Sequence, residues 1–248
     1  MKEIIVQKLH EIEEREHVRI LLAVESGSRA WGFASPDSDY DVRFIYARTR
    51  EDYLRLDFVR DVIEQPMDDL LDMNGWDLQK ALRLMYKSNP TLFEWLKSPI
   101  IYMETEFADK MRNEMCDYFS VKHSLYHYVS MAEGNYRKYL KTEMVRAKKY
   151  FYVLRPLLAG QWILKTGTPP PMLFSELFKM EFPEELRKEV EKLLEIKVHA
   201  SEIKEIPRID KLNEYLENEM IRIKEKAQIL REEKRSWKKL NEMFLEEV

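Results

Sequence analysis

The spacing of apolar positions changes part-way along the chain. Ile4, Ile5, Leu9 and Ile12 recur at helical spacing among Glu and Lys, which predicts a helix over 2–16. Val18 to Val24 is a mostly apolar run of strand length, and Gly27-Ser28 ends it. Pro36-Asp37-Ser38 is turn chemistry, and residues 40–47 alternate well enough for a second strand. A short third strand fits around Leu70 to Met73. The period then lengthens. Asn74 or Gly75 caps a predicted helix running to about Lys87, with Leu78, Leu82 and Met85 on its apolar side. Pro90 starts a shorter helix that carries Leu92, Phe93, Trp95 and Leu96, and residues 99–103 read as an edge strand or an extended exit. From about 106 nothing reads as a strand: 106–118, 121–141, 143–165, 183–199 and 209–246 are helical in period, with a break at Thr168-Pro169-Pro170-Pro171. The predicted organisation is α+β over 1–104, followed by an all-helical domain over 105–248.

Composition narrows the class. The 248 residues allow one large domain or two small ones, and 45% apolar with 35% charged residues is ordinary for a globular protein. Cys116 stands alone, so an internal disulfide is impossible, a thiolate zinc site is disfavoured and a reducing compartment fits. The N-terminal segment is charged and amphipathic without a secretory apolar core, and no apolar run approaches the roughly 20 residues of a membrane span. A cytoplasmic protein without membrane partners is expected. His123 and His127, four apart on a predicted helix, lack a third zinc ligand and read as a helix-surface or partly buried pair.

The net charge of −4 gives no support to nucleic-acid binding, but charge is unevenly distributed. Between Arg137 and Lys165 eight Lys or Arg face Glu143 alone. On a continuous helix Arg137, Lys141, Lys148 and Arg155 fall nearly on one line, with Tyr136, Tyr139, Tyr150 and Tyr152 interleaved. A basic stripe with aromatics can hold a triphosphate or an RNA backbone; a solvated helix face is the competing reading. Lys148 and Arg155 are the candidate ligands.

The chemistry concentrates in residues 26–41, Ser-Gly-Ser-Arg-Ala-Trp-Gly-Phe-Ala-Ser-Pro-Asp-Ser-Asp-Tyr-Asp. Asp39 and Asp41 are two apart at the start of a strand, so both point to one face. Paired carboxylates repel unless a cation lies between them, and oxygen-only ligands suit Mg²⁺ or Mn²⁺. Gly27 permits a close turn, and backbone N–H groups with the Ser28 hydroxyl can then face a phosphate. Arg29 can reach the same phosphate or pair with Glu25 or Asp41. Arg43 leaves the second strand on the face of Asp39 and Asp41, to balance their charge or touch phosphate. Ser35 and Ser38 steady the loop or donate to phosphate. Trp31 and Trp76 suit a core or a base-stacking role. Taken alone, a Gly-Ser and an Asp-x-Asp also suit a turn with solvated acids.

An apolar strand, Gly27-Ser28, a spacer of about ten residues, then Asp39-Tyr40-Asp41 between apolar residues: this order and spacing resembles the nucleotidyltransferase superfamily named for DNA polymerase β. Residues 23–33, 74–82, 87–96 and 149–158 look like its RNA-ligase-associated, or YcgL-like, bacterial and phage group, and the resemblance covers most of 18–175. It implies a small mixed-sheet catalytic domain and transfer of a nucleoside monophosphate from an NTP to an acceptor hydroxyl with release of pyrophosphate. It also implies a third carboxylate on a neighbouring strand, which helps hold the metal and accepts the acceptor's proton. Asp72 has the right local context, with Asp61, Glu64, Asp68 and Asp69 as rivals. An RNA acceptor, in end repair or modification, is implied by the group. The alternatives are a small molecule or protein side chain as acceptor, or a non-catalytic, antitoxin-like binding module, against which the intact Asp39 and Asp41 speak.

Overall fold

A computed structural model gives the fold and describes residues 1–66, 70–199, 205–231 and 234–248. The chain forms two compact units, one of Met1–Ala30, Asp39–Tyr118 and Lys234–Val248, the other of Trp31–Ser38 and Phe119–Glu233.

The first unit opens with α1 (Lys2–Glu16), β1 (Arg19–Glu25) and a single turn, α2 (Gly27–Ala30). It resumes with β2 (Tyr40–Ala47), α3 (Arg50–Tyr53), β3 (Val62–Glu64), β4 (Leu71–Asp77), α4 (Leu78–Tyr86), α5 (Pro90–Leu96), β5 (Ile101–Glu104) and α6 (Glu106–Glu114). The five strands form one mixed sheet in the order β3-β4-β2-β1-β5. β2 runs antiparallel to β1 and parallel to β4, while β3 and β5 are antiparallel edges. The interior position of β1, between β2 and β5, explains its apolar run, since every residue from Ile20 to Glu25 is buried. α1 lays Ile5, Leu9 and Ile12 against Val42, Phe44 and Met73 of the sheet. Each such buried side chain contributes roughly 1.5–3 kcal/mol. With Val42 and Phe44 turned to α1, strand alternation turns Asp41 and Arg43 to the other face.

The third strand is longer than its apolar pattern predicts. Asn74 and Gly75 lie inside β4 and cap nothing: Gly75 is the register partner of Phe44, whose ring occupies the place of any Cβ there, 2.1 Å from the ideal position. Asp77 caps α4 instead, accepting from the Gln79 amide at 2.8 Å. β3 was not foreseen, because three residues carry too little periodicity.

The second unit is built from α7 (Val121–Tyr139), β6 (Met144–Arg146), α8 (Ala147–Thr166), α9 (Phe174–Leu177), α10 (Glu184–His199), β7 (Glu205–Pro207) and α11 (Asp210–Gln228). α7, α8 and α11 share a core that includes Tyr128, Phe151, Leu157, Leu216 and Ile223. Trp31–Ser38 is bound into this unit: Phe33 packs on Phe151 and Phe174 at 5.0 and 5.5 Å, and the Trp31 carbonyl accepts from the Phe174 amide at 2.9 Å. The expectation of no strand beyond 106 is corrected by β6 and β7, an antiparallel pair with Val145 opposite Ile206. The helix stops at Leu140, whose carbonyl accepts from Asn213 at 2.9 Å.

The helix expected over 209–246 is likewise two elements. The chain returns to the first unit as α12 (Lys238–Glu247). There Trp237 stacks on Tyr86 at 3.7 Å, Phe244 meets Tyr53 edge-on at 5.0 Å, and Arg19 pairs with Glu247 at 2.8 Å. α6 also stays with the sheet through Phe107, Ala108 and Met111. The two units therefore interleave in sequence and do not meet at one boundary near residue 104. Among the described residues no helix is long and apolar enough to cross a membrane.

Candidate active site

The ends of β1, β2 and β4 bring the acidic residues together. The parallel register of β2 with β4 sets Asp41 directly beside Asp72. Asp39 precedes β2 by one residue and stays exposed. Arg43, two residues beyond Asp41 on the same face, sends one guanidinium nitrogen to Asp41 Oδ1 at 3.1 Å and to Asp72 Oδ2 at 2.7 Å. Its other terminal nitrogen donates to the carbonyls of Val42 and Asp72, both at 3.0 Å. Burial pushes the Asp41 carboxyl above the ordinary carboxylate range; Arg43 opposes the rise, and the charges of Asp72 and Asp39 add to it. Among the rivals for a third acid, Asp61 pairs with Lys80 at 3.1 Å and Glu64 with Arg60 at 3.0 Å, whereas Asp68 and Asp69 lie outside the described residues.

Gly27 closes one side of the cluster. It adopts φ +56°, and a Cβ built on it would stand 1.9 Å from Asp41 Oδ2. Only glycine leaves room for the carboxylate there, and it also tolerates the left-handed backbone. Ser28 and Arg29 follow in the single turn of α2, half-buried. The charge of Arg29 lowers the pKa of both Asp41 and Glu25, and its guanidinium lies 3.7 Å over the Tyr40 ring and donates to the Asp39 carbonyl at 3.1 Å. That contact holds the Asp39 backbone at the mouth of the strand.

Glu25 belongs to the site as well, although the sequence marks it only as a possible partner of Arg29. It is fully buried at the end of β1, and one carboxylate oxygen accepts the Asp41 backbone N–H at 2.8 Å. The other accepts the Tyr102 hydroxyl. Burial raises its pKa, and the two hydrogen bonds oppose the rise. The signal was in the sequence: an ionisable residue closing an otherwise apolar central strand, immediately before the glycine turn.

Three other candidates lie in the helical unit. Ser38 is buried and closes a turn with Ser35, accepting from the Ser35 amide at 3.0 Å, and Lys197 donates to the Ser35 hydroxyl at 3.2 Å. Lys148 is half-buried near the start of α8. Arg155 is buried in the middle of α8, with its guanidinium 4.6 Å over the Trp31 ring and donating to the Met172 carbonyl at 3.4 Å. The continuous basic line is also corrected. Arg137 sits on α7, Lys141 in the connection, and Lys148 and Arg155 on α8, because the chain leaves the helix at Leu140. Trp76 packs on Trp95 with ring centroids 3.8 Å apart and planes tilted by 30°, a packing role within the sheet unit.

Residues 1–246 match the family described as the RNA repair pathway DNA polymerase beta family. The chain belongs to this family. Membership makes it a polymerase β-type nucleotidyltransferase linked to RNA repair. It is 49% identical over 251 residues to the uncharacterized protein YcgL of Bacillus subtilis (strain 168), covering 100% of this chain and 96% of that protein. A solved nucleotidyltransferase-like protein from Exiguobacterium sibiricum 255-15 is 13% identical with a TM-score of 0.31, over 90% of this chain and 74% of that one.

The family's chemistry uses a divalent cation, and the carboxylates can be tested for it. Their donor set is all oxygen, on adjacent rigid strands, with glycine cradling one carboxylate. At Asp41 the charges of Asp72 and Asp39 repel, and Arg43 and, more weakly, Arg29 oppose that repulsion. Among the described residues no three acidic, imidazole or thiol groups yet converge as a ready-made cage. Arg43 holds the place between Asp41 and Asp72. The set fits a hard divalent cation that takes over the countercharge role of Arg43.

Proposed function

We propose that the chain transfers a nucleoside monophosphate from an NTP to a hydroxyl at an RNA end, with release of pyrophosphate. The observation that carries this reading is the registered Asp41–Asp72 pair with Gly27 pressed against the Asp41 carboxylate. Asp39, Asp41 and Asp72 would hold Mg²⁺ or Mn²⁺, which when bound supplies charge neutralisation for the triphosphate. Gly27 and Ser28 offer backbone and hydroxyl donors to the outer phosphates. Arg29 and Arg43 both act electrostatically on Asp41, and Arg43 would be freed for phosphate once it leaves Asp41. Asp72, exposed enough to meet an acceptor, takes the proton of the attacking hydroxyl. The oxygen then attacks the α-phosphorus, the α–β bridge bond breaks, and pyrophosphate departs. Ser38 and Arg155 are buried and are left out of this set.

The choice of RNA rests on the family description and on the local excess of Lys and Arg in the helical unit. The test is incubation of the full chain with labelled NTPs, Mn²⁺ or Mg²⁺, and RNAs bearing free 3′ hydroxyls. Metal-dependent label transfer to RNA is expected, with a loss on the order of a thousandfold in Asp41→Asn. Label on a small molecule or on protein, with none on RNA, would replace the acceptor. No transfer to any acceptor pool would favour a binding module.

A further inference from the structure

Glu25 is an expensive residue to bury. A carboxylate removed from water costs several kcal/mol unless hydrogen bonds replace its hydration. A strand needs no such residue at its end, yet every polar group of Glu25 is used. Its N–H donates to the Ile100 carbonyl at 2.9 Å, and its own carbonyl accepts from the Ser98 hydroxyl at 2.6 Å. Its side chain joins Tyr102, on the edge strand β5, to the backbone N–H of Asp41.

The position of that last bond gives it meaning. Glu25 pairs with Val42 in the β1–β2 register, and that pair is the last of the ladder. Asp41 lies one residue past the pair. The carboxylate of Glu25 supplies the acceptor for its N–H, and the Ser26 N–H donates to its carbonyl at 2.8 Å. Both backbone groups of Asp41 are therefore fixed, while Gly27 fits against its carboxylate. Charge-assisted bonds of the N–H···carboxylate kind are roughly twice as strong as neutral ones. Tyr102 occupies the second oxygen of Glu25, which leaves the first aimed at Asp41.

We propose that Glu25, oriented by Tyr102, is the positioning residue for Asp41, fixing the backbone from which that carboxylate reaches the cation. This rests on the metal-carboxylate reading given above. Groups that orient metal ligands typically matter tenfold to a hundredfold in affinity.

The test uses the full chain without nucleotide, with free Mn²⁺ followed by electron paramagnetic resonance and folding followed by thermal melting. Glu25→Gln keeps the shape and an acceptor but removes the charge; Tyr102→Phe keeps Glu25 and removes its second anchor. About tenfold weaker Mn²⁺ binding is expected in Glu25→Gln, and a severalfold loss in Tyr102→Phe. Both should melt within a few degrees of the unsubstituted chain. In turnover, the loss should shrink at high Mn²⁺ while KM for the NTP stays unchanged. Unaltered Mn²⁺ affinity in a folded Glu25→Gln chain overturns the proposal. If that variant does not fold, unaltered affinity in Tyr102→Phe overturns it equally. Mn²⁺ binding absent from the unsubstituted chain, or insensitive to Asp41→Asn, fails the metal-carboxylate reading itself and takes the proposal with it.

Discussion

The two charged regions of the molecule are built on opposite principles. In the sheet unit, strand register fixes Asp41 beside Asp72, with Asp39 one residue before the strand, and buried Glu25 holds the Asp41 backbone. In the helical unit, eight cations crowd one stretch of sequence, and the contacts draw several of them onto aromatic rings, a partner acid or the core. Lys149 lies 4.1 Å over the Tyr139 ring and 4.3 Å over Tyr152, and Lys141 pairs with Glu217 at 3.3 Å. Arg155 is buried against Trp31. Acids held at fixed spacing point to a reaction. A cluster defined only by sequence proximity points to a field, and the fold decides how much of that field survives.

The glycines offer the sharpest way to break this contrast. Gly27→Ala puts a Cβ into the space of the Asp41 carboxylate and adds a left-handed strain of about 1–2 kcal/mol. The carboxylate must move, and a displacement near 1 Å costs on the order of a hundredfold in rate. Gly134, within α7, has nothing within 4 Å of its ideal Cβ. Gly134→Ala should therefore raise stability by up to about 1 kcal/mol and leave turnover unchanged. Steady-state rates and melting curves on both variants check this. Equal loss of turnover in the two would mean that the Gly27 contact carries no special meaning.

How much of this was legible in the sequence follows the same division. Asp41 and Arg43 share a face because alternation along a strand is rigid, so two-residue spacing translates directly into space. Asp72 beside Asp41 was reached through resemblance; no local pattern encodes the register of two strands thirty-one residues apart. Glu25 was hidden because its partners, Asp41 and Tyr102, lie far along the chain. The basic line failed because Arg137, Lys141, Lys148 and Arg155 align only on a single helix, whereas Asn213 and the β6–β7 pairing turn the chain aside after Leu140. The C-terminal segment misled for a similar reason. Its apolar positions suit one long helix, but Trp237 and Phe244 find their aromatic partners on the sheet unit.

Protonation gives a smaller effect that tests the acidic region as a unit. The folded pKa values of Asp41 and Glu25 lie above their ordinary values, chiefly through burial. The folded chain therefore binds these protons more tightly than the unfolded chain, and without metal their contribution to stability declines as pH rises from about 4 through the raised values. A cation that holds Asp41 ionised offsets that decline. Mn²⁺ at about a hundred times its dissociation constant should add about 2.7 kcal/mol near pH 7, or a rise of roughly 5–10 °C in melting temperature. Near pH 4.5 protons compete for the raised Asp41 carboxyl and the rise should be smaller. Asp41→Asn should abolish the Mn²⁺ effect at both pH values. A Mn²⁺ shift that is independent of pH and of Asp41 would place the binding elsewhere.

The weakest expected effects separate field from framework inside the helical unit itself. Lys148 and Arg155 are seven residues apart on α8 and carry the same charge, yet one is half-exposed and the other buried. A cation that meets RNA releases counterions, so Lys148→Gln should lower the salt slope of single-stranded RNA binding by about 0.7 while leaving the melting temperature nearly unchanged. Arg155→Met should do the reverse. Loss of the contact to the Met172 carbonyl and of the stacking on Trp31 should lower stability by about 1–3 kcal/mol, with the salt slope intact. RNA binding titrated at several salt concentrations, beside melting curves, reads both quantities. If the salt slope responds to Arg155 and not to Lys148, that guanidinium must leave its pocket to meet RNA, and burial would be no guide to which of these cations reads the acceptor.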